Sequence, residues 1–270
     1  MQHNRSAIAA PTRSGGLLPV RDLTLAWSVI VALAALAWLI TIQQSRGMGM
    51  EPGTLGLALP LFLLLWVIMM AAMMLPSMAP IAITWSRAIA RQSSGTARLG
   101  RMVQFVGGYL FAWATFGLLV YLALALTGRL VNDHAEAGRW IAATAFLLAG
   151  VYQLGPLKNV CLRHCRNPIA HLMRYAQFRP FARDLRVGAD HGLYCVGCCV
   201  ALMVLLIPLG VMNIAAMAAL AVVIFLEKLW RHGPILARIV GVAFLCLAVL
   251  APFQDWLLPG LHPMDDEQSM

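Results

Sequence analysis

Long runs of apolar residues separated by short polar breaks set the pattern of this chain. Seven such runs stand out, at 24–42, 55–85, 102–126, 140–157, 193–209, 214–230 and 235–251. Most are about 17 to 25 residues long, the length that carries an α-helix across a hydrocarbon core. Their hydrophobic positions are continuous rather than alternating, so helices are predicted and a transmembrane barrel is not. No charged loop separates the fifth run from the sixth. As one helix, residues 193–230 would be about 57 Å long, nearly twice the hydrocarbon thickness. The chain is therefore expected to fold back, with the turn near Pro208, Gly210 and Asn213.

The charges between the runs give the direction of each crossing, because Lys and Arg concentrate in cytoplasmic loops. Arg5, Arg13 and Arg21 precede the first run, and Arg87, Arg91, Arg98 and Arg101 lie between the second and third. Lys158, Arg163, Arg166, Arg174, Arg179, Arg183 and Arg186 follow the fourth, and Lys228, Arg231 and Arg238 follow the sixth. Of the 20 basic residues, only Arg46, Arg129 and Arg139 fall on the other side. Seven of the 11 acids fall there too, including Asp265, Asp266 and Glu267. The expected fold class is all-α, a polytopic membrane helical bundle of about seven transmembrane helices with its N-terminus cytoplasmic and its C-terminus outside. Trp27, Trp85 and Trp230 at one set of helix ends and Trp140 and Trp256 at the other fit an interfacial aromatic belt. Residues 1–22 read as a flexible cytoplasmic arm, 23–253 as the transmembrane domain with a cytoplasmic loop at 158–191, and 254–270 as an acidic tail on the outer side. The first span lacks a small-residue cleavage site after it and is expected to be retained.

Composition removes whole classes of function. With 61% hydrophobic and 11% charged residues and a mean hydropathy of +0.77, a water-soluble enzyme, a disordered scaffold and a disulfide-rich secreted module are excluded. The net charge of +9 raises nucleic acid as a partner, but its distribution is that of membrane orientation, so the expected partner is the lipid bilayer and no nucleic acid. There is no nucleotide-binding loop, no helical His-Glu zinc motif and no acid pair within a span. The scarcity of ionisable residues inside the runs argues against a proton relay.

Sulfur is abundant instead, with 15 Met and 6 Cys in clusters. Met69, Met70, Met73, Met74 and Met78 share the second run, where helical spacing aligns Met70, Met74 and Met78 in one stripe and Met69 with Met73 beside it. Neutral thioethers suit a soft monovalent ion such as Cu(I). Pliable packing at an irregular helix contact is the other reading of the same stripe. Cys195, Cys198 and Cys199 lie within about one helical turn after Gly188, His191 and Gly192, and Met203 continues their stripe. Three thiols this close can share a soft ion, form a disulfide, or serve close packing. Cys161 and Cys165 flank His164, with His171 beyond, in a spacing that differs from the usual zinc pairs. Cytoplasmic placement disfavours stable disulfides for these five cysteines. Cys246 reads as core, and His134, His232 and His262 as solvated loop residues.

The strings WVIMMAAMMLPSMAP (66–80), GYLFAW (108–113), YQLGPLKNVCLRHCRNP (152–168), GADHGLYCVGCCVALM (188–203) and GVMN (210–213), with Glu227 and Lys228, resemble a bacterial family of predicted metal-binding integral membrane proteins. That family is largely classed as a domain of unknown function and sometimes labelled a copper chaperone. Val200 stands where the family has Trp, and Gly155 where it has Thr or Ser; neither change removes a sulfur. The resemblance implies a multi-pass protein of the bacterial inner membrane that handles copper. The leading reading is a non-enzymatic protein that binds Cu(I) as its cofactor or cargo and exchanges it with a metal donor or acceptor protein. A thiol redox protein using Cys195, Cys198 and Cys199, with Cys161 and Cys165 as resolving thiols, and a structural subunit without metal are the alternatives.

Overall fold

The computed structural model describes residues 20–46, 54–90, 92–93, 95–134, 136–167, 175, 182–254, 257 and 259–261, with side chains from residue 27 onward. Among them there is no strand. The helices are α1 (Val20–Ser45), α2 (Leu59–Ala90), α3 (Gly95–Asp133), α4 (Ala137–Leu154), α5 (Pro156–Arg166), α6 (Arg183–Val204), α7 (Leu206–Leu209), α8 (Ile214–Leu229) and α9 (Gly233–Leu250), followed by a 3₁₀ turn over Ala251–Phe253. Each apolar run is helical over most of its length, the fourth continuing past Gly155 into α5 and the fifth past Leu205 into α7.

Five helical segments are long and apolar enough to cross a membrane: Trp27–Ser45, Leu59–Ala90, Gly95–Asp133, Arg183–Val204 and Gly233–Phe253. A sixth results if α4 and α5 form one span bent by 62°. The bend falls at Gly155, whose extended backbone precedes Pro156 at the start of α5. With 16 residues, α8 is about 24 Å long, shorter than a full crossing. The fold-back comes where the length argument places it. Gly210 takes a φ of 88°, a region that favours glycine, and the Asn213 side chain accepts from the Ala216 N–H at 3.1 Å to cap α8.

In the bundle, α1 packs on α2, α2 on α3 and α8, α3 on α6, α6 on α5, and α4 on α9. The exterior is apolar: Leu39, Leu64, Phe111, Leu119 and Val249 are exposed, as they would be against lipid. The core is aromatic and sulfur-rich, and Trp66 inside it donates from Nε1 to the Trp113 carbonyl at 3.0 Å.

Helix α6 starts at Arg183, within the segment expected as the cytoplasmic loop, so residues 183–191 of that segment are helical. Two expectations are corrected. Trp85 is no interfacial anchor; it is 3% exposed and donates to Asp184 Oδ1 at 3.0 Å, and Asp184 also pairs with Arg101 at 2.9 Å. That buried acceptor draws the indole inward between α2 and α6. Cys246 is exposed rather than core. Helix α9 seats its Gly241 face against Leu154 and Gln153, and Cys246, five positions on, is turned about 140° away. Trp140 and Trp230 are exposed, as a belt requires, and so are His134 and His232. The N-terminal arm as far as residue 19, His171, Trp256, His262 and the acidic residues of the tail lie outside the described residues.

Candidate metal centre

The site is built on the contact between α3 and α6, where glycines remove the side chains that would hold the backbones apart. A Cβ on Gly192 would lie 2.9 Å from the Tyr109 carbonyl oxygen and 2.7 Å from Ala112 Cβ, and one on Gly188 would collide with the Phe105 carbonyl. Positions 188, 192, 195 and 199 share one face of α6 at spacings of four, three and four. The glycine stripe that draws the helices together therefore also points Cys195 and Cys199 at α3. There the Tyr109 hydroxyl lies 3.1 Å from Cys195 Sγ, and its ring stacks on His191 with centroids 5.8 Å apart.

Cys198 sits about 80° round the helix from this stripe and turns toward α5. Its sulfur lies 3.3 Å from Cys199 Sγ and 3.7 Å from Cys165 Sγ. The three sulfurs of Cys195, Cys198 and Cys199 all lie within 4.8 Å of one another, and none of the three residues is more than 1% exposed. Cys165, at the end of α5, is half-buried. Cys161 is half-buried too, one turn earlier, and its sulfur faces Gly197.

The far side of the triad holds a charge that sequence reasoning assigned only to membrane orientation. Lys228, at the end of α8, is buried and donates from Nζ to Cys195 Sγ at 2.9 Å and to Ser77 Oγ at 3.3 Å. Its neighbour Glu227 accepts from Lys158 Nζ at 2.6 Å and from the Gln153 amide, and Lys158 also donates to Gln153 Oε1 at 2.7 Å. Arg166 donates from Nη1 to the carbonyls of Glu227 and Trp230 at 2.6 and 2.7 Å, closing the end of α8. Lys158 and Glu227 satisfy each other, so the Lys228 ammonium is directed to sulfur.

The methionines join through Ser77. Met70, Met73, Met74 and Ser77 recur at i, i+3, i+4 and i+7 on α2, one helical face, and Ser77 on that face meets Lys228. Met69, Met70, Met73, Met74 and Met78 are at most 2% exposed, as is Met203, one turn beyond Cys199, and all lie in one core with the triad. The structure thus gathers Cys195, Cys198, Cys199 and Cys165 by sulfur–sulfur contact and buries the methionines in the same core, with Ser77 of their helix reaching Lys228. The residues missed from sequence are Lys228, Tyr109 and Ser77. The signal was the Glu227–Lys228 pair at the end of an apolar run, where one charge would suffice for orientation.

Three buried thiols this close, beside a buried cation in a bundle whose helices are long enough to span a membrane, could hold a soft metal, since sulfur donors favour Cu(I), zinc and iron–sulfur clusters. The chain belongs to the PpoB2 family of copper chaperones, whose family model matches residues 63–251. No curated protein and no solved structure matches it.

Proposed function

We propose that this protein is a multi-pass protein of a bacterial inner membrane that binds Cu(I) through Cys195, Cys198 and Cys199 and passes it to a partner protein, without enzymatic chemistry. The observation that carries the reading is the triad itself: three buried sulfurs within 4.8 Å of one another in a chain of a copper chaperone family. The donor set fits the ion. Thiolates are soft donors of the kind Cu(I) takes, and the buried methionines of the same core add neutral thioethers rather than carboxylates. Charge fits as well. Two thiolates and Cu(I) carry one net negative charge, which the Lys228 ammonium balances in a medium of low dielectric. Met70, Met73 and Met74 are assigned as neutral soft donors lining the site. The basic loops support seven spans with a cytoplasmic N-terminus and an outer C-terminus, α4 and the short α8 supplying the sixth and seventh.

The 3.7 Å approach of Cys165 and Cys198 supports thiol–disulfide exchange as a second reading. Metal loading separates the two. Purified protein is offered Cu(I) and Zn(II) together under reducing conditions, and bound metal is measured by elemental analysis. Copper retained stoichiometrically by the wild type and lost in Cys195→Ser/Cys198→Ser/Cys199→Ser is expected; retention of zinc alone overturns the proposal.

A further inference from the structure

A triad no more than 1% exposed cannot meet a metal carrier directly, yet one of its sulfurs touches a thiol that is half-buried. Cys165 Sγ lies 3.7 Å from Cys198 Sγ, and Cys198 Sγ lies 3.3 Å from Cys199 Sγ, while Cys195 is held by Lys228 and Tyr109. The thiols therefore pass from partly accessible Cys165 to a fully enclosed triangle of three sulfurs, with the Lys228 cation against Cys195.

The accessible end is held in place without help from metal. Helix α5 is tied to α8 by the Lys158–Glu227 ion pair at 2.6 Å and by Arg166 on the carbonyls of Glu227 and Trp230. Lys228, next to Glu227, reaches Cys195, so the segment that carries Cys165 and the charge beside the triad are fixed by one and the same set of contacts. A structural cysteine would not need this arrangement; a thiol that hands an ion to Cys198 would.

Resting on the proposed copper function, we infer that Cys165 is the gateway thiol of the site: it takes Cu(I) from outside and passes it inward through Cys198. In the inward step Cu(I) bridges Cys165 and Cys198, a bond to Cys199 Sγ forms, and the bond to Cys165 Sγ breaks. The proton given up by the Cys199 thiol is balanced by one taken up at Cys165. Copper and sulfur keep their oxidation states, so the step requires neither oxidant nor reductant. Cys165 is thus a ligand of the loading path and not of the loaded site.

The test measures rate and equilibrium separately on the full chain in detergent. Cu(I) is presented as its bicinchoninate complex, loading is followed by stopped-flow loss of the chelator colour, and affinity is measured by competition with the same chelator. Cys165→Ser and Cys165→Ala are expected to keep the wild-type copper stoichiometry and an affinity within about threefold, while loading slows by roughly tenfold or more. Cys246→Ser, exposed on α9, should load at the wild-type rate. Wild-type loading rates in both Cys165 variants, or loss of bound copper at equilibrium, would overturn the gateway role while leaving the copper function standing. Failure of the wild-type chain to take up Cu(I) would overturn the copper function, and the gateway with it.

Discussion

Lys228→Met removes the cation that, among the described residues, donates to a thiol of the triad, and keeps most of the apolar stem. At 2.9 Å from Cys195 Sγ, a unit charge and a thiolate attract by about 6 kcal/mol at an effective dielectric near 20. Metal binding spreads the negative charge over two or three sulfurs farther away, and water entering the vacated space recovers part of the loss. A net cost of about 2 to 4 kcal/mol remains, or roughly 30- to 1000-fold in Cu(I) affinity. Ser77→Ala removes only a neutral acceptor from the same ammonium and should cost about 1 kcal/mol, roughly fivefold. Competition against a chromophoric Cu(I) chelator measures both, with helicity and melting temperature establishing that each variant is folded. A folded Lys228→Met protein that binds copper within about threefold of wild type would refute the charge-balance argument.

Three further predictions follow from the same contacts. Glu227→Gln leaves the Lys158 ammonium buried without its carboxylate and should destabilise the fold by about 3 to 5 kcal/mol, read as a lower melting temperature of the detergent-solubilised protein. Met73→Leu/Met74→Leu and Cys198→Ser/Cys199→Ser should weaken the same Cu(I) binding event, with the combination costing much less than the sum; additive losses would leave the methionines as packing. An alkaline phosphatase fusion after Met270 should be active and one near Gly95 inactive, and the reverse at either site would overturn the proposed orientation.

What the sequence revealed depended on whether the signal was local. Apolar runs of spanning length are read directly, so every predicted run proved helical over most of its length; length required the fold-back between the fifth and sixth, and Pro208, Gly210 and Asn213 marked its place. The Cys195, Cys198 and Cys199 cluster was legible because its spacing is that of one helical turn. Lys228 was not, because what it touches lies 33 and 151 residues away, and the neighbouring Glu227 marks an extra charge at the end of the run without showing that the lysine faces a thiol. Trp85 illustrates the same limit. Its place at the end of an apolar run fits a membrane anchor, and only Asp184, 99 residues on, makes it a buried donor. The role of Cys165 was half visible: its pairing with Cys161 was read from spacing, but the sulfur it meets belongs to Cys198, on another helix.

If the buried sulfurs of α6 hold copper, X-ray absorption at the copper edge of the loaded protein will see them. A Cu(I) edge with sulfur neighbours only is expected, unchanged in Cys246→Ser and abolished with the bound metal in Cys195→Ser/Cys198→Ser/Cys199→Ser. A nitrogen or oxygen coordination shell, or an unaltered sulfur shell in the triple variant, would contradict it.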